Sequence, residues 1–186
     1  MKSLIIIPDI TGFTNFVKNT DIDLAVSITS DLLNTIIDSN CIDLEVSEIE
    51  GDAVLFYKLG GPVNMPELFE CLKKIYEAFN NKLEELKSSH NFEAELSLKF
   101  IVHYGEVNVY NIKGFKNLFG QTVIEAHCLL KNGEGQTNYI LLTQDYISSV
   151  SSITEYNSTY WIFSSYHSTM FTGLRTIDYC FYKYAA

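Results

Sequence analysis

Basic residues are scarce in this sequence. It has 13 Lys and Arg against 23 Asp and Glu, and its formal net charge is −10. Because proteins bind nucleic acid by neutralising phosphates with Lys and Arg, this composition argues against a nucleic-acid partner. The chain has a single arginine, Arg175. Any mechanism that needs a guanidinium clamp on a phosphate therefore has one candidate.

Paired cysteines and long apolar runs are also missing. The four cysteines, at positions 41, 71, 128 and 180, show no CxxC spacing, so we expect reduced thiols rather than a zinc or redox motif. The N-terminal apolar stretch is only about five residues long, which is too short for a secretory signal. No later run approaches the length of a membrane span. These features predict a soluble, cytoplasmic protein without membrane contact.

The residues that are present suit one globular domain. The 186 residues are 47% hydrophobic and 13% aromatic, so we expect a single domain over residues 1–186 with a sizeable core. A continuous apolar run at residues 4–7, ended by Pro8, predicts a buried strand. Apolar residues spaced by three or four predict helices over residues 22–37 and 65–90, and a Gly-rich stop ends a helix over 120–135.

Strand patterns fill most of the remaining sequence. They are predicted at residues 43–59, as a hairpin turning at Gly51 and Asp52, at 94–110, with a bend at Gly105, at 138–143 and at 176–184. Residues 148–158 are interpreted as a polar loop or a frayed helix. The order β-α-α-β-β-α-β-β-α-β predicts an α+β fold with one mixed sheet and helices packed on one face.

Two acids draw attention within this pattern. Asp9 follows the first predicted strand and Asp52 lies in the hairpin turn, so adjacent central strands would bring both carboxylates to one edge of the sheet. At about 4 Å and an effective dielectric of about 20 they would repel by roughly 4 kcal/mol, which raises one pKa unless a cation lies between them. Oxygen ligands near a phosphate favour Mg or Mn over zinc. The alternative is that Asp9 caps a helix and Asp52 is an ordinary turn residue.

Four stretches follow one another in an order that resembles a known family. They are PDITGFT around Asp9, EIEGDAVLF around Asp52, HYGEV at 103–107 and LFGQTVIEAHCLL at 118–130. Together they resemble the class III adenylate and guanylate cyclase catalytic domain, and they are similar to an uncharacterised bacterial family related to it. The resemblance covers residues 4–131, with a looser match in the last strand. It implies a ferredoxin-like palm and a head-to-tail homodimer with nucleotide sites at the subunit interface.

The resemblance also implies a two-metal site that holds Mg or Mn on a nucleoside triphosphate. One metal would activate the ribose 3′-hydroxyl for in-line attack on the α-phosphate. The metal site would comprise Asp9, Ile10 and Asp52. The start of the following segment would face the phosphates with its backbone amides, as a helix N-terminus can. By this resemblance its substrate-binding residues are Thr11, Gly12, Phe13 and Thr14.

Two further positions match residues that read the base in the family. Glu48 lies four residues before Asp52, where adenylate cyclases carry Lys and guanylate cyclases carry Glu. A carboxylate only accepts hydrogen bonds, so it suits the donors of guanine, opposes N1 of adenine and favours a GTP-like ligand. Asn117 matches the second position and can both donate and accept. The alternative is that Glu48 is an ordinary solvent-facing strand residue.

The last helix of the motif departs from the family. Cyclases carry there an Asn and, four residues on, an Arg that contact the ribose and the transition-state phosphate, whereas this chain has Ile124 and Cys128. Losing one preorganised donor costs about 10² to 10³ in rate, so cyclisation by the usual route should be very slow. A phosphate-binding Lys of the family matches near Thr172 and Gly173. Arg175 is close by and is the candidate catalytic residue, with an ordinary surface Arg as the alternative.

Three hypotheses remain open. The first is a pseudoenzyme, a regulatory or nucleotide-binding dimer that keeps the metal and triphosphate half of the site. The second is an active nucleotidyl cyclase that uses GTP or a pyrimidine triphosphate, with altered residues or completed by a partner chain in a heterodimer. The third is a protein-interaction domain whose acids are relics.

Overall fold

The computed structural model describes residues 1–132, 138–150 and 158–185. Within these residues the chain forms nine strands and five helices. The strands are β1 Lys2–Thr11, β2 Glu45–Glu50, β3 Ala53–Leu59, β4 Ser97–Glu106, β5 Asn108–Ile112, β6 Phe115–Phe119, β7 Tyr139–Thr143, β8 Trp161–Met170 and β9 Thr176–Tyr184. The helices are α1 Phe13–Asn19, α2 Ile22–Asp38, α3 Met65–His90, α4 Gln121–Leu129 and α5 Gln144–Ser149.

Seven strands form one mixed sheet in the order β2-β3-β1-β4-β7-β9-β8, and β5 and β6 form a separate hairpin. The β4–β7 pair is parallel and the other neighbours are antiparallel. In β1, Leu4 and Ile6 join the core on one face of the sheet, while Ile5 and Ile7 join the core on the other. A strand that is buried on both faces needs apolar residues throughout, which explains the run at its centre.

The helices are divided between the two faces of the sheet. α1, α2, α3 and α5 cover one face, and α4 covers the other through Ala126 and Leu129. The predicted α+β fold with a mixed sheet is confirmed. The difference from the sequence prediction is that one helix lies on the second face, because the central strands carry apolar side chains on both sides.

Helix α3 matches its sequence prediction most fully. It begins after Asn64, whose side chain accepts a hydrogen bond from the backbone N–H of Glu67. It ends before Asn91, which adopts the left-handed conformation with φ 48°. All apolar residues of the predicted face are buried, namely Leu68, Leu72, Ile75, Phe79, Leu83 and Leu86. No helix of the described chain, α3 included, is long and apolar enough to cross a membrane.

The first strand continues through Pro8, so the prediction that it ends there is wrong. Pro8 lies opposite Phe100 of β4, whereas the ladder to β3 has no paired residues between Ile6 and Asp9. Proline cannot donate a backbone hydrogen bond, and here the missing donor falls at a gap in the β1–β3 ladder. The strand therefore carries Asp9 beyond the proline and keeps it in the sheet.

Strands β6 and β8 were not predicted from the sequence, and the predicted strand over 94–110 is divided at Val107 into β4 and β5. The side chains of β6 and β8 are mostly exposed or half-buried, so no apolar alternation marks them. The predicted helix over 120–135 ends at Leu129. Residues 133–137 and 151–157 of the predicted segments lie outside the described residues.

Candidate functional site

Asp9 and Asp52 meet at the end of β1. Asp9 lies opposite Ala53, the residue that follows Asp52, and the backbone N–H of Ile10 donates to the carbonyl oxygen of Asp52 at 3.0 Å. Burial raises the pKa of both carboxyl groups, and the charge of Asp9 raises the pKa of Asp52 further. The structure therefore brings together the two acids that the sequence analysis paired.

Lys99 lies beside this acid pair. Its Nζ is 3.2 Å from Oδ1 of Asp9 and 3.4 Å from the carbonyl oxygen of Leu130. Its charge opposes the burial that raises the pKa of Asp9 and of Asp52. Asp9 and Lys99 face each other in the antiparallel register of β1 and β4. The sequence analysis missed Lys99 because this contact depends on which strands are neighbours.

The acid pair suits a hard divalent cation. Across the described part of the chain, no three His, Cys, Asp or Glu side chains are grouped so that they could hold a metal ion. A cation would therefore be held by Asp9 and Asp52 and completed by oxygens of the backbone or of a ligand, a donor set that fits Mg or Mn. The side chain of Ile10 is in the core and 1% exposed, so this residue could contribute only its carbonyl oxygen.

The segment from Thr11 to Thr14 turns β1 into α1. Gly12 has φ 88°, and a Cβ at this position would collide with the carbonyl oxygen of Glu95, so the turn requires glycine. No side chain caps the first turn of α1, so its first backbone N–H groups, including those of Phe13 and Thr14, have no partner within the helix. Within the described residues, the buried hydroxyl of Thr11 has no hydrogen-bond partner.

The two positions assigned to the base lie on β2 and β6. Oε1 of Glu48 is 3.1 Å from Nε2 of His127 on α4, and Oε2 of Glu50 is 3.8 Å from Nδ1 of the same imidazole. The side chain of Asn117 donates to the carbonyl oxygen of Phe115 at 3.2 Å. Glu48 is thus not a plain solvent-facing residue, because it is half-buried and paired with His127.

Helix α4 presents an apolar surface at the two positions where its sequence differs from the cyclase motif. Ile124 is 55% exposed and Cys128 is half-buried. Ile124 lines a cavity of about 460 Å³ together with Leu118, Phe119 and Leu174. The surface on which the family resemblance places polar groups for ribose and phosphate therefore offers mainly aliphatic and aromatic side chains.

Arg175 is engaged by two carboxylates. Its Nε and Nη2 donate to the two oxygens of Glu125 at 2.8 and 3.0 Å, and Nη2 also donates to Asp145 at 2.8 Å. Glu125 is only 2% exposed and accepts further hydrogen bonds from Gln121 at 2.8 Å and from Nε2 of His103 at 2.9 Å. The single arginine of the chain therefore neutralises a buried acid that lies 50 positions before it in the sequence.

Arg175 and Asp9 lie toward opposite ends of the sheet. Arg175 borders a cavity together with Glu106, and Glu106 lies opposite Lys2 at the start of β1, whereas Asp9 lies near the end of that strand. A phosphate held at Asp9 could therefore meet Arg175 only across an interface with a second copy of the chain.

His103 connects Glu125 to Thr143. Nδ1 of His103 is 2.9 Å from Oγ1 of Thr143, and its Nε2 is 2.9 Å from Oε2 of Glu125. This connectivity resembles a nucleophile, base and acid triad, but Thr143 and His103 are 0% exposed, so no substrate can reach the hydroxyl. Oγ1 of Thr143 also accepts from the backbone N–H of Tyr146. We therefore assign these side chains to the fold, as links between β4, α4 and α5.

The Glu125 network makes stability depend on pH. Burial alone would raise the pKa of Glu125, but hydrogen bonds from His103, Arg175 and Gln121 outweigh it and lower the pKa to about 2 from an ordinary 4.5. A carboxyl group whose pKa is lower in the folded state stabilises the fold at pH values above its pKa in the unfolded state. This contribution is lost as the pH falls from about 5 to about 2. We expect a loss of about 3 kcal/mol in the free energy of unfolding over this range.

Urea denaturation at several pH values measures this effect. The Glu125→Gln variant is the control, because it removes the titrating group and keeps the side-chain shape. Asp9 and Asp52 have raised pKa values and act with the opposite sign, so the difference between the parent protein and Glu125→Gln isolates Glu125. Equal pH slopes for the two proteins would contradict the prediction.

The fold is that of the class III nucleotide cyclase catalytic domains. The adenylyl cyclase CyaB from P. aeruginosa superposes with a TM-score of 0.75 over 100% of this chain and 94% of that chain, at 13% identity. The guanylyl cyclase Cya2 gives 0.74 over 98% and 91%, at 11% identity. A class III adenylyl cyclase-like ATP-binding protein from Pseudomonas aeruginosa gives 0.63 over 81% and 35%, at 17% identity. At these identities the likeness establishes the fold alone.

The chain belongs to the family described as a protein of unknown function, DUF2652, whose profile matches residues 29–139. The uncharacterized protein Rv2561/Rv2562 of Mycobacterium tuberculosis is 29% identical over 119 residues, which cover 60% of this chain and 55% of that protein. The match thus spans about half the length of this curated relative.

Proposed function

We propose that this chain is a nucleotide-binding domain with a cyclase fold that serves a regulatory role. It holds a nucleoside triphosphate with Mg or Mn at Asp9 and Asp52, and it cyclises this ligand very slowly or not at all. The observation that carries the proposal is the partly buried acid pair, in which Asp9 lies opposite Ala53, the residue after Asp52. Burial and then the charge of Asp9 raise the pKa of Asp52. A divalent cation relieves this repulsion and attracts the phosphates. The uncapped first turn of α1 lies next to the pair and offers backbone donors to the same group.

Weak catalysis follows from the surface of α4. Ile124 has no hydrogen-bond donor, and the thiol of Cys128 is a weak one. A donor that stabilises the transition state typically contributes about 10² to 10³ in rate. Two such losses need not multiply. The cavity beside Ile124 is also bordered by Gln121 and Arg175, but both of these donors already bind Glu125.

Glu48 supports a preference for guanine. Its carboxylate can accept hydrogen bonds from the base but cannot donate to N1 of adenine. The Nε2 of His127 lies 3.1 Å from it and fixes its direction. We therefore expect a GTP-like ligand to bind more tightly than ATP, with Asn117 on β6 able to adapt to either base.

The proposed ligand site is shared between two copies of the chain. The β5–β6 hairpin lies outside the main sheet and exposes Ile112, Phe115 and Phe119 by 56%, 75% and 67%. Exposed apolar side chains that cluster in this way are typical of interfaces. A head-to-tail homodimer would bring α4 and Arg175 of one copy toward Asp9 of the other. The alternative is a heterodimer in which a partner supplies the missing Asn and Arg.

Thermal unfolding with each nucleoside triphosphate and Mn²⁺ tests the proposal. A ligand at 100 times its dissociation constant should stabilise the protein by about 2.7 kcal/mol, which corresponds to a rise of about 5 to 10 °C for a chain of this size. Asp9→Asn should abolish the rise, while the exposed control Asp38→Asn should keep it. Light scattering of the same samples measures the mass, and the mass of a single chain would contradict the shared site.

The same incubations separate the other two hypotheses. Mass spectrometry that detects a cyclic nucleotide formed by the parent protein, and lost in Asp9→Asn, would establish an active cyclase and contradict the weak-catalysis part of the proposal. No thermal shift with any triphosphate would contradict nucleotide binding and favour the protein-interaction domain.

A further inference from the structure

A bulge in β2 turns two of its glutamates toward α4. The register of β2 against β3 shifts between Val46 and Glu48, and a bulge of this kind changes the direction of the side chains that follow it. Beyond the bulge, Glu48 lies opposite Leu55. Glu50 lies opposite Ala53. Both of these β3 residues belong to the core that α4 covers, so the two carboxylates are on the α4 side of the sheet.

One side chain of α4 meets both glutamates. Nε2 of His127 is 3.1 Å from Oε1 of Glu48, and Nδ1 of the same imidazole is 3.8 Å from Oε2 of Glu50. The first distance is that of a hydrogen bond, whereas the second is too long for one. The side chains of His127 and Glu48 are 32% and 35% exposed. The pair is therefore partly shielded from water but still within reach of a ligand.

His127 belongs to the part of α4 that differs from the cyclase motif. It follows Ile124 by three positions, and residues three apart on a helix are neighbours on its surface. Ile124 is 55% exposed and has no hydrogen-bond donor. The polar group that the helix carries next to Ile124 is thus a ring nitrogen that binds a carboxylate of β2.

We propose that His127 is a positioning residue that sets the choice of base, because it holds Oε1 of Glu48 and directs this carboxylate toward the N–H donors of guanine. The inference rests on the proposed function, in which Glu48 contacts the base. A carboxylate that rotates freely loses conformational freedom when it binds a base, whereas one that is already held loses less. Helix α4 then contributes to the selection of the ligand instead of to the stabilisation of a transition state.

Titration calorimetry with GTP and with ATP, each in the presence of Mn²⁺, tests the proposal. The parent protein should bind GTP more tightly than ATP, and His127→Leu should lower this ratio of affinities by about tenfold. His127→Gln places an amide N–H near the position of Nε2 and should restore most of the ratio. His90→Leu changes an exposed histidine at the end of α3 and should bind both nucleotides as the parent does.

A double variant separates positioning from a purely structural effect. Glu48→Gln removes the carboxylate, so the addition of His127→Leu should change the ratio no further. Partial unfolding would weaken GTP and ATP equally and would leave their ratio unchanged. If the parent prefers GTP and His127→Leu keeps this preference, the inference is overturned while the proposed function stands. Equal affinities of the parent for GTP and ATP would also overturn the inference, and a parent that binds no triphosphate would overturn the proposed function with it.

Nitrogen-15 NMR of the histidine side chains gives a second measurement, which needs no nucleotide. Nε2 of His127 is within hydrogen-bond distance of Glu48, whereas Nδ1 is not within that distance of Glu50. The neutral imidazole should therefore carry its proton on Nε2. Glu48→Gln should shift this resonance, which His127→Gln identifies by its disappearance. A proton on Nδ1, or a resonance that Glu48→Gln leaves unchanged, would contradict the contact on which the inference depends.

Discussion

Replacing Arg175 by methionine should lower the free energy of unfolding by about 2 to 3 kcal/mol. Removing one partner of a buried ion pair leaves the other charge without compensation, which typically costs about 3 to 5 kcal/mol. Glu125 is 2% exposed and would keep only its hydrogen bonds from His103 and Gln121. The Arg175 side chain is 45% exposed, so water already screens part of the interaction and a cost just below this typical range is expected.

Urea denaturation of matched variants tests this expectation. Arg175→Lys keeps the charge but loses the two parallel hydrogen bonds to Glu125, and it should lie between the parent and Arg175→Met. Asp145→Asn removes the more exposed ion pair and should cost less than about 1 kcal/mol. If Arg175→Met is no more destabilising than Asp145→Asn, then the guanidinium does not compensate the buried Glu125.

The result also bears on the catalytic role predicted for Arg175. An arginine that holds a buried carboxylate cannot leave it without exposing that charge to an apolar surrounding. A phosphate from a second copy could therefore meet only the part of the guanidinium that faces solvent. Substitution of Arg175 would then lower stability without ligand and weaken triphosphate binding as a separate, smaller effect. Measuring both the free energy of unfolding and the triphosphate affinity of Arg175→Lys distinguishes a structural residue from a phosphate ligand.

The amphipathic helix and the strand that is buried on both faces were predictable from the sequence. The buried face of α3 follows from apolar residues at intervals of three and four, and the central strand follows from the run that ends at Ile7. Such periodicity shows which residues are buried, because a helix or strand places its apolar residues on the face or faces that pack against the core. Strands β6 and β8 are largely exposed, and exposed strands leave no such pattern to read.

The candidate site was predictable in its acids but not in their partners. Asp9 lies near the end of a strand and Asp52 in a hairpin turn, and the sequence analysis paired them by assuming that these two strands are neighbours, as they are. Lys99, by contrast, reaches Asp9 because β4 is the neighbour of β1. Glu125 is buried on α4 and held by Arg175, 50 positions away in the chain. Sequence spacing carries no signal of such contacts, because they arise from the order of the strands.

Replacing Lys99 by methionine should strengthen Mn²⁺ binding at the acid pair by at least about tenfold. The ammonium is 3.2 Å from Asp9, so a divalent cation at the same carboxylate meets a like charge. At about 4 Å and an effective dielectric of about 20, the repulsion between the ammonium and each unit of charge on the cation costs roughly 4 kcal/mol. The flexible Lys99 side chain can move away from the cation, which removes a large part of this cost. Methionine keeps an unbranched side chain of similar length and removes the charge.

Mn²⁺ titration followed by electron paramagnetic resonance measures this change directly, without any catalytic readout. Lys99→Arg retains the charge and should bind Mn²⁺ like the parent, and Asp9→Asn should bind it weakly. Lys82→Met, which removes a half-buried lysine paired with Glu85, is the matched control elsewhere on the surface. A triphosphate without metal should show the opposite order, because it loses an attractive cation in Lys99→Met. Unchanged or weaker Mn²⁺ binding in Lys99→Met would mean that Lys99 does not compete with a cation for these carboxylates.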